Sequence, residues 1–174
     1  SSHYLQAVSL SEFEPIAYDT TQSRIVLDTF FEEYIMQLQV LQQQLWLLQS
    51  EPERKEAMQS AFRVVHTLKG NCGFLGMATG RKLAHEMEHI LARGRERALD
   101  RLAVVLLLRA VEVLRELGVR MAEHSSDPSK PFPLVPNEYA STLALVQRAG
   151  SGDDAPVAAA PPVFVMPQSA AAPQ

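Results

Sequence analysis

The sequence predicts an all-α protein: an antiparallel up-down four-helix bundle, followed by a fifth C-terminal helix and a disordered Ala/Pro-rich tail. Two long stretches lack the strongest helix breakers, since no glycine precedes Gly70 and no proline lies between Pro52 and Pro128. Within these stretches, apolar residues recur at spacings of three and four. Strand signals such as β-branched alternation or Asn-Gly turns are missing. The length of 174 residues suits one domain with tails.

The first helix is predicted over about residues 23–49. Its apolar face repeats every three or four residues and consists of Leu27, Phe31, Tyr34, Leu38, Leu41, Leu45 and Leu48. A second apolar stripe on the opposite side consists of Met36, Val40 and Leu47. Residues 1–22 or another molecule could cover that stripe.

The second helix is predicted to begin at Ser50, because a serine followed by Pro52 and Glu53 has the pattern of a capped first turn. It extends to about residue 75. A turn at residues 76–80 then leads into a third helix, predicted over about residues 80–96.

The fourth helix is predicted over about residues 98–123, and its broad apolar arc, which includes Leu102, should contact more than one neighbour. A proline-rich connection follows. Asn137 is then expected to cap a short fifth helix that ends near Gly150.

These elements divide the chain into three parts. Residues 1–22 form an N-terminal extension of unknown role, and residues 23–149 form the helical domain. Residues 150–174 are rich in alanine and proline, a composition that cannot build a core, and are predicted to be an interdomain linker. The role of the apolar residues 163–166 within it is left open.

Composition excludes several classes of function. A net charge of −4 argues against a nucleic-acid partner held by phosphate contacts. The longest apolar run, residues 103–108, is too short for a membrane span, and no signal peptide is visible. The single cysteine, Cys72, fits a reducing compartment. We therefore expect a cytoplasmic protein with no membrane partner. His3 lies near a terminus and His124 near a helix end, and both are expected to be ordinary solvated residues.

The candidate site lies on the second helix. His66, Lys69, Gly70 and Gly73 fall at i, i+3, i+4 and i+7 and therefore share one face. Each glycine inside a helix costs about 1 kcal/mol relative to alanine. This pattern indicates a bared patch around one histidine that another protein's active site can approach. Spacing alone fits equally well an ordinary surface histidine, with glycines that allow close helix packing.

The third helix offers a second group of polar residues, His85 and Glu88. If the two helices are antiparallel and joined near Gly76, Glu88 lies at a height similar to that of His66. A carboxylate that accepts a proton from one ring nitrogen leaves the other nitrogen free as a nucleophile. Taken alone, Glu88 also fits a solvated helix residue.

Residues 62–76, with an HxxKG core followed by GFLG, closely resemble the phosphoacceptor motif of histidine phosphotransfer (HPt) domains. The resemblance is greatest to the N-terminal HPt domain of CheA-type chemotaxis kinases and covers about residues 23–123. It implies that His66 is the phosphoacceptor, with Glu88, His85 and Lys69 in its network. Asn71 and Cys72 depart from the small residues common in the motif.

The resemblance also implies partners. The ATP-binding catalytic domain of a histidine kinase would phosphorylate His66, and a response-regulator receiver domain would take the phosphoryl group, with Gly70 and Gly73 on the docking surface. The chain itself has no nucleotide-binding motif. It is therefore expected to carry no cofactor or metal, while ATP and magnesium belong to the partner domains.

Two alternatives remain. One is a helical interaction module that is not phosphorylated. The other is a zinc metallopeptidase, because residues 85–89 read HExxH and place His85 and His89 at i, i+4 on a helix. Such an enzyme needs a third protein ligand, for which Glu112 and Glu116 are the candidates.

Overall fold

The computed structural model describes residues 13–152. These residues form five helices: α1 (Arg24–Ser50), α2 (Lys55–Phe74), α3 (Ala78–Gly94), α4 (Arg101–Ser125) and α5 (Glu138–Gly150). Each of α1 and α3 packs against both α2 and α4, which closes a four-helix bundle, and α5 lies against α3 and α4. The predicted fold class is confirmed. The predicted tail from residue 153 onward, with residues 163–166, lies outside the described residues, as do residues 1–12.

The start of α1 follows from its cap, and its end corrects a prediction. The Ser23 hydroxyl accepts a hydrogen bond from the Val26 amide at 3.3 Å. The predicted helix start at Ser50 is wrong: Ser50 is the last residue of α1, and its hydroxyl donates to the Leu47 carbonyl at 3.2 Å. The apolar repeat of α1 continues to Leu48, which is buried, so burial of the last turn outweighs the local cap pattern. The second helix begins only at Lys55.

The apolar face of α1 is confirmed except at one position, where Phe30 is buried and Phe31 is only partly buried. The second stripe remains exposed, with Met36 at 62% of its possible surface, so residues 13–22 do not cover it. On α4, Leu102 is also exposed, contrary to its place in the predicted apolar arc. None of the helices formed by residues 13–152 is long and apolar enough to cross a membrane.

A tight turn joins α2 to α3 and determines their register. Gly76 has a φ of 71°, a conformation that glycine adopts without strain. Its amide donates to the Gly73 carbonyl at 3.1 Å, and the Met77 amide donates to the Cys72 carbonyl at 2.8 Å. These two bonds form a Schellman motif. The turn is shorter than predicted, and α3 begins at Ala78.

Cys72, one of the departures from the resembling motif, is completely buried in the bundle. Burial raises the pKa of its thiol to about 12, so the thiol is neutral at physiological pH. A Cβ atom at Gly80 would lie only 3.0 Å from the Cys72 sulfur. The glycine in the first turn of α3 therefore makes room for this side chain.

The described part of the N-terminal segment, residues 13–22, packs against the bundle. Ile16 is completely buried, and its amide donates to the connection between α4 and α5. The ring of His124 is buried rather than solvated: Nε2 donates to the Lys130 carbonyl at 2.8 Å, so Nδ1 accepts the Tyr18 hydroxyl at 2.7 Å. This segment thus contributes to the core although it has no helical periodicity.

Candidate functional site

The structure brings His66 and Glu88 together across the α2–α3 pair. His66 lies midway along α2, and its side chain is 65% exposed. The Nδ1 atom of its ring is 2.9 Å from the Oε2 atom of Glu88, which is on α3. The short turn at Gly76 places these two residues at the same height in antiparallel helices, as the sequence predicts.

Lys69 completes the network from the next turn of α2. Its ammonium donates to the Oε1 atom of Glu88 at 2.9 Å, so each carboxylate oxygen has one partner. Both side chains are largely buried, with Lys69 at 20% and Glu88 at 16% exposure. Burial raises the pKa of Glu88, but the hydrogen bonds and positive charges of Lys69 and His66 lower it more. The carboxyl pKa is therefore below its ordinary value, and Glu88 is ionised at neutral pH.

This network determines the tautomer of His66. An ionised carboxylate can only accept hydrogen bonds, so the Nδ1 atom that faces it carries a proton. In a neutral imidazole the other nitrogen, Nε2, then keeps its lone pair. The exposed ring therefore presents a nucleophilic nitrogen, and Glu88 can stabilise the positive charge that forms when this nitrogen reacts.

The two glycines predicted at the docking surface differ in their surroundings. A Cβ atom at Gly70 would meet no atom of residues 13–152 within 4 Å, so this part of the structure leaves the helix surface open one turn from His66. A Cβ atom at Gly73 would lie 3.3 Å from Cδ of Arg81, whose side chain passes over this glycine. Phe74, one turn beyond Gly70 on α2, is 70% exposed. We call His66, Gly70, Gly73 and Phe74 the acceptor face.

Phe62 and Arg95 are neighbours of the site that sequence reasoning did not single out. The Phe62 ring stacks beside the His66 ring, with centroids 6.3 Å apart and an angle of 13° between the planes. The guanidinium of Arg95 lies 4.7 Å from the centroid of the Phe62 ring, within the range of a cation–π interaction. The spacing of four residues between Phe62 and His66 was the available signal, but nothing in the sequence indicates that Arg95 lies near this pair.

His85 lies outside the hydrogen-bond network of His66 in the described part of the chain. Its ring contacts the ring of His89 instead, at a centroid distance of 4.4 Å. A role for His85 in the chemistry of His66 stays a prediction. The two candidate third ligands of a peptidase are engaged on α4, where Glu112 pairs with Arg115 and Glu116 pairs with Arg120. Neither is paired with the HExxH histidines.

Comparisons with known proteins match the part of the chain that forms the helical bundle. The family model described as "Hpt domain" matches residues 25–117. A solved structure, "Solution Structure of Histidine Phosphotransfer Domain of CheA", superimposes with a TM-score of 0.56 and 27% identity. The superposition covers 71% of this chain and 92% of that domain.

Curated relatives match a small part of their own length. The "Sensor histidine kinase CheAY" of Helicobacter pylori is 29% identical over 104 residues, which are 59% of this chain and 13% of the relative. The "Chemotaxis protein CheA" of Halobacterium salinarum is 38% identical over 74 residues, which are 42% of this chain and 11% of the relative. The chain thus corresponds to about a tenth of each of these larger proteins.

Proposed function

Because the chain belongs to the Hpt domain family, we propose that it accepts a phosphoryl group on His66 and passes it to a second protein. The ATP-binding catalytic domain of a histidine kinase is the donor, and an aspartate of a response-regulator receiver domain is the acceptor. The similarity to CheA proteins supports a CheA-type kinase as the parent protein. The observation that carries the proposal is an exposed His66 whose Nδ1 is held by Glu88.

The first transfer uses the lone pair of His66 Nε2. This atom attacks the γ-phosphorus of ATP in line, the new N–P bond forms, and the bond to the leaving oxygen breaks with its electron pair on ADP. The proton on Nδ1 remains in its hydrogen bond to Glu88, so no proton has to leave the ring during attack. The ring becomes cationic as the bond forms, and the ionised carboxylate beside it stabilises that charge.

Lys69 has two roles in this proposal, one toward Glu88 and one toward the phosphoryl group. One of its three N–H donors is bound to Glu88, which keeps the carboxylate in place. Residues 13–152 offer its remaining donors no other partner, so we assign these donors to the phosphoryl oxygens. In the second transfer, a receiver carboxylate attacks the phosphorus, an acyl phosphate forms, and the N–P bond breaks with its electron pair returning to Nε2. ATP and Mg²⁺ are bound by the partner domains in this proposal.

The acceptor face is the surface on which both partners dock. The helix carries no side chain at Gly70, one turn from the acceptor ring, which leaves room for a partner's active site beside His66. Phe74, two turns from His66, offers an exposed apolar contact. The Phe62 ring lies nearly parallel to the imidazole, with the two ring centroids 6.3 Å apart.

The proposal is tested by running both transfers in sequence. The chain and a His66→Gln variant are incubated with a CheA-type catalytic core, ATP and Mg²⁺, and phosphorylation is read by intact mass. The isolated phosphorylated chain is then mixed with a receiver domain, alongside a receiver whose acceptor Asp is replaced by Asn. We expect an acid-labile phosphate on the wild type alone and its loss to the intact receiver alone. A wild type that several catalytic cores leave unmodified contradicts the proposal and favours the non-phosphorylated module.

A further inference from the structure

A cluster of metal-ligating side chains lies on the flank of α3, next to the phosphoacceptor network but outside it. His85, Glu86 and His89 each offer one ligand atom, and these atoms all lie within 4.8 Å of one another. We propose that these three side chains form a binding site for a late first-row divalent metal ion such as Zn²⁺. This departs from the expectation of no metal in the chain, and it does not depend on phosphorylation of His66.

The helix already arranges the ligands for a common centre. Residues at i and i+4 lie one above the other on a helix face, and the rings of His85 and His89 have centroids 4.4 Å apart at an angle of 65°. With metal–ligand bonds of about 2.0–2.2 Å, two ligand atoms of a tetrahedral site are about 3.4 Å apart. Nδ1 of His89 and Oε2 of Glu86 are at that distance, 3.4 Å. The ligand atom of His85 lies within 4.8 Å of the other two, so rotation of its exposed side chain can bring it to the same centre.

The surroundings of the cluster favour an open, weakly strained site. His89 is 48% exposed and Glu86 is 18% exposed, so an ion can enter from solvent and keep water in its remaining positions. On the other side, α5 ends close to the base of His89, since a Cβ atom built at Gly150 would lie 3.1 Å from the Cβ atom of His89. Arg93 donates to the Ala149 carbonyl at 2.5 Å and holds the end of α5 in place.

The donor set selects the class of metal. Two imidazoles and one carboxylate suit Zn²⁺, Cu²⁺ and Ni²⁺, whereas Mg²⁺ and Ca²⁺ prefer sites made of oxygen atoms. Glu88 is not available as a further ligand, because both of its oxygens are bound to His66 and Lys69. The site therefore uses a set of side chains separate from the acceptor network, although Glu88 is adjacent to His89 in the chain.

The test is a Zn²⁺ titration of the full chain carrying His3→Gln, so that this histidine outside the described residues does not contribute. Heat of binding gives the stoichiometry, and long-range ¹H–¹⁵N spectra of the imidazoles identify the ligands. We expect one ion per chain, with ring nitrogen shifts at His85 and His89 and none at His66 or His124. Mg²⁺ at millimolar concentration should leave all of these signals unchanged.

Ligand variants make the assignment falsifiable. His85→Gln, Glu86→Gln and His89→Gln should each weaken Zn²⁺ binding by at least about tenfold, the lower end of what losing even an outer-shell partner costs. His66→Gln should bind Zn²⁺ as the parent does. Circular dichroism verifies that each variant keeps its helices. No heat of binding, or binding that the three ligand variants leave unchanged, overturns the proposal, and so do shifts confined to His66.

Discussion

Replacing Glu88 with glutamine tests the part that the structure assigns to this carboxylate. The variant keeps the shape of the side chain but removes the charge that faces His66 Nδ1 and Lys69 Nζ, both at 2.9 Å. An amide can still accept a hydrogen bond from Nδ1–H through its oxygen. What it cannot do is neutralise the positive charge that develops on the ring as Nε2 attacks phosphorus.

The size of the effect follows from the burial of the pair. A hydrogen bond to a charged group is worth about 1.5–3 kcal/mol. Glu88 is 16% exposed but His66 is 65% exposed, so solvent screens the interaction and we take about 1–2 kcal/mol. This loss of transition-state stabilisation corresponds to phosphorylation slowed by about 5- to 30-fold.

The assay is the single-turnover rate of phosphorylation by a CheA-type catalytic core, with the phosphorylated fraction read by intact mass. Glu112→Gln is the matched control, because it removes a carboxylate that pairs with Arg115 and Gln42 rather than with α2 or α3. We expect the control to react at the wild-type rate. If Glu88→Gln also reacts within about twofold of wild type, the carboxylate contributes less than about 0.4 kcal/mol and the assigned role is refuted.

Three further outcomes are expected. Gly70→Leu should raise the free energy of unfolding in urea by about 0.5–1 kcal/mol, because leucine favours helix and a Cβ atom there meets no described residue within 4 Å. The same variant should slow phosphorylation at least tenfold by crowding His66, and an unchanged rate would contradict an acceptor face at this position. Gly118→Ala should lower the free energy of unfolding by about 1–3 kcal/mol, since its Cβ atom would lie 2.5 Å from the Tyr34 ring. A variant that unfolds thermally at the wild-type temperature would contradict close packing of Tyr34 against this position. Folding lowers the pKa of Glu88, so the extra stability of the wild type over Glu88→Gln should be complete above the ordinary carboxyl pKa of 4.5 and disappear as pH falls through the folded value. Urea unfolding of both proteins between about pH 3 and pH 7 measures this difference. A difference that grows as pH falls would contradict a lowered pKa.

The central pair of the site was predictable because it depends on helix geometry and one turn. Once Gly76 is taken as the turn, the helical rise brings His66 and Glu88 to similar heights in an antiparallel pair. The bundle itself followed from apolar periodicity, which is the dominant signal when helices are long and face a single core. Spacing also placed Lys69 one turn from His66 on the same face, whereas its place in the network with Glu88 was implied by the resemblance to HPt domains.

Features that depend on long-range packing were not accessible in this way. The cap pattern at Ser50 was a local signal that the burial of Leu48 overruled. The stack of Arg95 on Phe62 joins the end of α3 to the middle of α2, and no sequence period relates them. Tyr18 lies in a segment without periodicity, and its partner His124 is 106 positions away in the sequence.

The pairing of His85 with His89 is a different case, because the spacing of four residues was visible in the sequence. The resemblance to HPt domains implied that His85 belongs with Glu88, and the structure places it against His89 instead. On a helix, residues at i+3 and i+4 lie on opposite sides of the line through residue i, so a side chain at position 85 can turn toward either neighbour. In the structure both oxygens of Glu88 are bound to residues of α2, and the His85 ring contacts the His89 ring.

The most direct test of the proposed phosphotransfer is to determine which nitrogen of which histidine carries the phosphoryl group. A ¹⁵N-labelled chain is phosphorylated by an unlabelled catalytic core, and the imidazole spectra and phosphorus–nitrogen couplings are recorded before and after. We expect phosphorus on Nε2 of His66, with a proton retained on Nδ1 beside Glu88. Phosphorus on Nδ1 of His66, or on another residue, would contradict it.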